Sequence, residues 1–364
     1  MSSESRPRTF SHLLVTGGAG FIGANFVHRT LEQRPEVRVH VLDAMTYAAN
    51  PRNLRTEEGT PLEQAYPGRF AFTHGDVADA DLVDQLVGDL ASEAGGADHA
   101  AIVHFAAESH NDNSLRDPGI FARSNVEGTV NLANSAVKHG VHLHHISTDE
   151  VFGDLALDDP QRFTTETAYA PSSPYSASKA AADHFIRAFS RSLNLRATIS
   201  NCSNNYGPRQ HPEKFIPRQI TALLSGGTPR LYGAGQNVRD WIHVDDHNDA
   251  VWAILERGEI GQTYLIGANG ERTNMDVVQD LLRIFGKPED DFVHVTDRPG
   301  HDRRYAIDPS SIHALGWRPV FNEFSAGLAD TVAWYENNRD WWEESRVASE
   351  EKYRANEREV PRET

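Results

Sequence analysis

The sequence predicts an α/β protein: a doubly wound parallel sheet followed by a smaller C-terminal substrate-binding lobe. Three observations predict it. Short Val- and Ile-rich runs alternate with helical patterns from residue 12, a glycine-rich turn follows the first run, and the alternation gives way after about residue 200 to Pro- and Gly-punctuated segments. The runs HLLVTG, VRVHVLD, FAFTHGD, AIVHFAA and HLHHIST each hand over to a polar or glycine-containing turn, as buried parallel strands do. Helical patterns follow in GGAGFIGANFVHRTLEQ, GIFARSNVEGTVNLANSAVKHG and YSASKAAADHFIRAFSRSL, so five strands with intervening helices are expected. Residues 10–206 are read as the first domain, to which a segment of about 240–266 returns. Residues 207–342 form mainly the second lobe. The charged stretch 343–364 is expected to be a flexible tail or a frayed helix.

Composition restricts the partners. The 364 residues carry a net charge of −17, which would repel a nucleic-acid backbone or an anionic membrane surface. An anionic ligand therefore needs locally placed cations. The single cysteine, Cys202, allows no internal disulfide and suits a reducing cytoplasm. MSSESRPRTF lacks the apolar core of a signal peptide, and no run approaches the roughly 18 apolar residues of a membrane span.

TGGAGFIG places Gly17, Gly18, Gly20 and Gly23 straight after a strand and at the head of a helix, where backbone N–H groups can approach a pyrophosphate. Asp43 ends the second strand twenty residues past Gly23, in position to take both hydroxyls of an adenosine ribose. The combination reads as a Rossmann-type dinucleotide site. The Asp43 carboxylate would repel a 2′-phosphate, so NAD is expected rather than NADP. Asp76 and Val77, at the end of the third strand, are expected near the adenine.

Tyr175 and Lys179 form YSASK, and four residues of helix put both side chains on one face. A fixed ammonium beside a phenol is expected to stabilise the phenolate. With Thr148 at a strand end, the set resembles the extended, sugar-nucleotide branch of the short-chain dehydrogenase/reductases, in which Ser or Thr, Tyr and Lys transfer hydride between a sugar carbon and NAD. Oxidation at one carbinol needs neither Asp149 nor Glu150. A carboxylate pair suits a further acid–base step: removal of the acidic C5 hydrogen beside a C4 ketone, with protonation of the departing C6 hydroxyl.

From about residue 12 to 342 the chain resembles the dTDP-glucose 4,6-dehydratases, in TDEVFGD, AAESH, SNNYGP, EKFIP, NVRDWIHVDDH and RPGHDRRYAID. The resemblance implies Tyr175 as the C4 base with Thr148 bonded to the C4 hydroxyl, Asp149 as the acid at C6, Glu150 as the base at C5, and Lys179 on the nicotinamide ribose. It implies Ser109, Asn204, Lys214, Phe215, Arg230, Tyr232, Arg239, Asn274, Arg298 and His301 around the sugar nucleotide, with Lys214, Arg239 and Arg298 meeting the diphosphate. Phe21, Ile22, Thr46, Phe105, Ala106, Ala107, Ser109, Ser124 and Asn205 are the further cofactor candidates. It also implies a homodimer through the helices after the fourth and fifth strands. Where many members read ESHVDRS this chain has ESHNDNS, with Asn111 and Asn113. It also has Asn201 before CSNNYGP and Arg230 in place of a proline. None of these departures is expected to touch the catalytic set.

The alternatives are a nucleotide-sugar epimerase or decarboxylase on the same scaffold, which would not need the Asp-Glu pair, and a non-catalytic NAD-binding scaffold, which would not need Tyr175 and Lys179. No metal is expected. His243, Asp245, Asp246 and His247 read as a loop and helix start with Asp caps, and His142, His144 and His145 read as packing. Trp334, Tyr335, Trp341 and Trp342 read as a terminal helix clamping the second lobe.

Overall fold

A computed structural model describes residues 7–297 and 302–354. Its strands are β1 (His12–Thr16), β2 (Arg38–Asp43), β3 (Phe70–His74), β4 (Ala100–His104), β5 (His142–Thr148), β6 (Ala197–Cys202), β7 (Asn204–Tyr206), β8 (Arg230–Tyr232), β9 (Val238–His243), β10 (Thr263–Ile266), β11 (Glu271–Thr273) and β12 (Val293–Val295). Seven of them form one sheet in the order β3-β2-β1-β4-β5-β6-β10, every pair parallel. The order reverses between β1 and β4, and a crevice opens there at the carboxyl ends of the strands. The doubly wound fold is the expected one, with two strands more than the five read from the sequence.

Helices cover both faces because the strands are apolar on both. Phe21–Gln33 and Val244–Arg257 share one face: Phe26 stacks on Trp252 at 5.7 Å and the Trp252 indole donates to Thr30 Oγ1 at 3.0 Å. Ala80–Glu93, Gly128–His139 and Pro174–Ser192 cover the other through Val83, Leu86, Leu132, Ala136 and Ile186. The chain thus leaves the first sheet after β6, crosses to the second lobe, and returns through Val244–Arg257 and β10.

The second lobe has its own core, in which Tyr206, Ile220, Leu281, Leu328, Tyr335 and Trp342 pack together around the small β11-β9-β7 sheet. The stretch from residue 343, expected to be a flexible tail or a frayed helix, is helical as far as it is described, in Arg339–Arg354. It is docked: the Tyr353 hydroxyl donates to the Glu213 carbonyl at 2.7 Å, and Arg218 pairs with Glu350 at 2.7 Å. Its charges line one side while Trp342, Ser349 and Tyr353 are buried, so charge density along the sequence concealed a narrow apolar stripe. Residues 355–364 of that tail lie outside the described residues.

Trp342 is 1% exposed and donates from its indole to the Tyr335 carbonyl at 2.8 Å. Trp342→Ala is expected to lower stability by about 3–5 kcal/mol, read as a fall in the denaturant midpoint at unchanged slope. A midpoint within error of the parent would mean that this helix is not part of the core.

Candidate active site

The nucleotide end is built by close backbone approach. Gly17 has φ +73°, and a Cβ there would sit 2.6 Å from the Ala106 nitrogen. At Gly23 a Cβ would sit 2.3 Å from the Gly17 carbonyl oxygen. Only glycine closes this turn. Gly20 caps the helix Phe21–Gln33 with no side-chain cap, leaving its first N–H groups facing the crevice. Asp43 is buried and accepts from the backbone N–H of Ala19 and of Met45, each at 2.8 Å, so it fixes the nucleotide loop to the end of β2. Burial raises its pKa while those two donors lower it. A tight glycine cradle, an uncapped helix start and a carboxylate at the second strand end fit NAD.

A cavity of about 310 Å³ runs from this cradle to the end of β5. Its walls bring together Gly17, Gly20, Phe21, Ile22, Gly23, Asp43, Thr46, Asp76, Val77, Phe105, Ala106, Ala107, Ser109, Ser124 and Asn205 with Thr148, Asp149, Glu150, Tyr175, Lys179, Asn204 and Lys214. Phe215, Arg230, Tyr232, Arg239 and Asn274 belong to the second lobe and do not line this cavity. Phe215 starts a helix and stacks on Trp241, Arg230 is held by its backbone to the Gln219 amide, and Tyr232 and Asn274 are buried. Arg239 lies over the Tyr305 ring at 4.6 Å and donates to the Asp302 carbonyl at 3.0 Å. Its charge lowers the pKa of both Asp149 and Glu150. Arg298 and His301 lie outside the described residues.

At the reaction centre, Ser173 caps the helix Pro174–Ser192 and sets the position of Tyr175 and Lys179 one and two turns in. The Lys179 ammonium donates to the Ile146 carbonyl at 2.7 Å, and burial lowers its pKa to about 8. Lys179 lies one turn beyond Tyr175 on the same helix. Burial holds the phenol well above its ordinary pKa, Glu150 adds to the rise, and a hydrogen bond with Thr148 opposes it.

The two carboxylates differ. Asp149 is 1% exposed, its Oδ1 accepts from Thr148 Oγ1 at 3.3 Å, and its Oδ2 has no hydrogen-bond partner among the described residues. Burial, then the charge of Glu150, hold it well above the carboxylate range. Glu150 is partly exposed and also raised by burial, but Asn111, Arg239 and Lys214 pull it back. Both are raised, Asp149 the further, so Asp149 is the better placed of the two to keep its proton and Glu150 the readier to lose one.

Two departures do touch this set, contrary to the expectation from sequence. Asn111 Nδ2 donates to Glu150 Oε2 at 3.0 Å, and Asn201 Nδ2 donates to the Thr148 carbonyl and to Asp183, each at 3.1 Å. Both contacts join residues far apart in the chain, which a local motif cannot reveal. Glu108, His211 and Glu213 also line the cavity unpredicted. Their positions beside named candidates in AAESH and HPEKF were the available signal. Asn125, in a π-helical turn over Ala122–Glu127, clamps both backbone groups of Glu108 and donates to Ser178.

The discounted histidines have other partners. His142 and His144 meet Thr198 Oγ1 at 3.2 and 2.9 Å. His243 itself caps the helix Val244–Arg257, while Asp246 accepts from the N–H groups of Val320 and Phe321.

A glycine cradle at a sheet switch point with a Thr-Tyr-Lys centre defines a nucleotide-sugar enzyme of the short-chain dehydrogenase/reductase type. Residues 14–331 match the family model described as GDP-mannose 4,6 dehydratase. The dTDP-glucose 4,6-dehydratase of Mycolicibacterium smegmatis is 56% identical over 342 residues, covering 94% of this chain and 98% of that protein. The crystal structure of the Streptomyces venezuelae enzyme of that name, with NAD bound, is 44% identical with a TM-score of 0.82, covering 92% of this chain and 99% of that one. The Bacillus anthracis enzyme of that name, in complex with NAD, is 40% identical with a TM-score of 0.81 at the same coverage. The chain belongs to the dTDP-glucose 4,6-dehydratase family.

Asp43→Ala is expected to weaken NAD binding by about 1.5–3 kcal/mol, the scale of a hydrogen bond to a charged group, and to narrow the preference over NADP. Calorimetric titration with both dinucleotides checks this. Unchanged NAD affinity would remove Asp43 from the site.

Proposed function

We propose that the protein converts dTDP-glucose to dTDP-4-keto-6-deoxyglucose, in nucleotide-sugar biosynthesis leading to rhamnose or other deoxysugars. The observation that carries this reading is the pair of adjacent carboxylates with unlike surroundings at the end of β5, beside Tyr175 and Lys179. Thr148 hydrogen-bonds the C4 hydroxyl and Tyr175 takes its proton. NAD, when bound, supplies the two-electron chemistry, oxidising C4 and reducing C6 within one turnover. Glu150 removes the C5 proton, which the C4 ketone has made acidic, and Asp149 protonates the C6 hydroxyl as water leaves. Glu150 then returns a proton to C5. Gly17, Gly20 and Asp43 hold the dinucleotide, Lys179 orients its nicotinamide ribose, and Lys214 and Arg239 meet the diphosphate. A 4-epimerase would leave Asp149 and Glu150 without a task.

The surface supports a homodimer. Leu115, Ile120 and Phe185 are large apolar side chains, 69%, 45% and 42% exposed, on helices that pack against one another beside β4 and β5. A cytoplasmic location is supported by the buried, unpaired Cys202 and by the need for NAD and a nucleotide sugar. Among the described residues no helix is long and apolar enough to cross a membrane.

Given dTDP-glucose without added reductant, the parent is expected to form a 4-keto sugar with no net NADH and to place solvent deuterium at C5. Glucose carried on UDP, GDP or CDP is expected to react more slowly. Tyr175→Phe should lose about 10²–10⁴ in rate with no C4 oxidation. Glu150→Gln should show the NADH band in a single turnover yet exchange no C5 hydrogen, and Asp149→Asn should exchange C5 in recovered substrate while forming little product. Parental turnover by Glu150→Gln with deuterium at C5 would make the pair structural.

Sedimentation over a range of concentrations is expected to give a dimer for the parent and a monomer for Phe185→Glu. A parent that sediments only as monomer would refute the pairing.

A further inference from the structure

The dehydratase reading leaves Asn111 without a role, and its surroundings give it one. Asn111 opens the short helix Asn111–Arg116 after β4, where the Ser114 hydroxyl donates to its carbonyl at 2.7 Å. Its amide spans two elements: Nδ2 donates to Glu150 Oε2 at 3.0 Å, and Oδ1 accepts from Ser173 Oγ at 3.0 Å.

The direction of that chain follows from the cap of the helix Pro174–Ser192 and from the Glu150 carboxylate. Ser176 Oγ accepts from the Ser173 N–H at 3.0 Å and donates to the Ser173 carbonyl at 3.1 Å, which uses its proton. Ser173 Oγ accepts from the Ser176 N–H at 3.0 Å and faces two acceptors for its own proton, Asn111 Oδ1 and Ser176 Oγ, each at 3.0 Å. A reversed Asn111 amide would set an NH₂ against the Ser173 hydroxyl and an acceptor against the Glu150 carboxylate, so the NH₂ end faces Glu150.

We infer that Asn111 is a positioning residue for proton removal at C5. Through Ser173 its amide ties Glu150 Oε2 to the cap of the helix that carries Tyr175 and Lys179, and leaves Oε1 to take the proton. An amide N–H favours the carboxylate over the carboxylic acid. Arg239 and Lys214 act on Glu150 in the same direction, while Asp302 and the neighbouring Asp149 oppose them, and Tyr175 and Tyr305 face it as phenols. Asn111 is the donor whose position is set by the oxidation centre, so the base for the second step is held in register with the base for the first.

This inference rests on Glu150 being the C5 base, and the test separates the two. Asn111→Val removes both bonds, and Asn111→Asp keeps the shape but turns an acceptor toward Glu150. Both are assayed with dTDP-glucose in deuterated water across pH, with circular dichroism as the check on folding. For Asn111→Val we expect kcat about tenfold lower near neutrality, on the scale of one lost hydrogen bond to a charged group, at near-parental KM. Single-turnover C4 oxidation should keep its rate, while C5 exchange slows. Glu150 acts ionised and loses a group that favours that form, so the acidic limb should move to higher pH by about one unit. Asn111→Asp should move it further, and it carries the test if the Val variant does not fold. Parental kcat with an unmoved limb overturns the inference, as does an equal loss of C4 oxidation and C5 exchange. A parent that places no deuterium at C5 overturns the dehydratase reading instead.

Discussion

The site is organised around Asp183, a carboxylate with no exposed surface two turns beyond Tyr175 on the same helix. Its Oδ2 accepts from Ser147 at 3.0 Å, from Tyr169 at 2.7 Å and from Asn201 at 3.1 Å, and its Oδ1 lies 3.2 Å from His145. A lone buried carboxylate would be strongly disfavoured. Here the surrounding donors outweigh desolvation, and its pKa is lowered despite complete burial. The donors come from β5, from β6 and from the loop before the helix, so satisfying one charge fixes three elements together. Thr148, Asp149 and Glu150 follow Ser147 directly and inherit that placement.

From this fixed point the backbone makes two adjacent carboxylates unequal. Thr148 is extended and ends β5, and the chain then turns into the 3₁₀ segment Asp149–Phe152, with Gly153 at φ +94° closing it. Asp149 turns into the interior, and Glu150 toward the crevice, where the Asn111 amide donates to it and the charges of Arg239 and Lys214 act on it. Of these, Arg239 is on β9, so the second lobe sets the charge state of the pair as well as enclosing the substrate side. In a protein of net charge −17, Arg239 and Lys214 are cations placed locally beside the pair.

What the sequence made legible follows from how local each signal is. The glycine turn, Asp43 and the Tyr175–Lys179 spacing encode contacts within one strand–turn–helix or one helix turn, and they fall where expected. β6 escaped because ATISNC reads as polar, yet Ser200 and Asn201 are buried against His144 and Asp183. β10 escaped because TYLI, four residues long, is completed only by pairing with β6. Asn111 and Asn201 looked peripheral because their partners lie 39 and 53 residues away. In each case the decisive neighbour was one that only folding supplies.

The electrostatic couplings also give the reaction a direction. Ionised Glu150 and Asp149 both push the Tyr175 phenol upward, and burial adds to this. Phenolate and carboxylate are therefore poor neighbours, and under the proposed roles the conflict would ease as Tyr175 took the C4 proton. Glu150 in turn raises the Asp149 pKa, so in the proposed reaction an ionised Glu150 would help Asp149 keep the proton it delivers at C6. Under the proposed roles, uptake of the C5 proton by Glu150 would withdraw that support and make Asp149 the stronger acid at the step where it donates. The two carboxylates thus behave as one unit in which uptake at one favours release at the other. On the proposed roles, their adjacency would couple C5–H cleavage to C6–O cleavage without a further group between them.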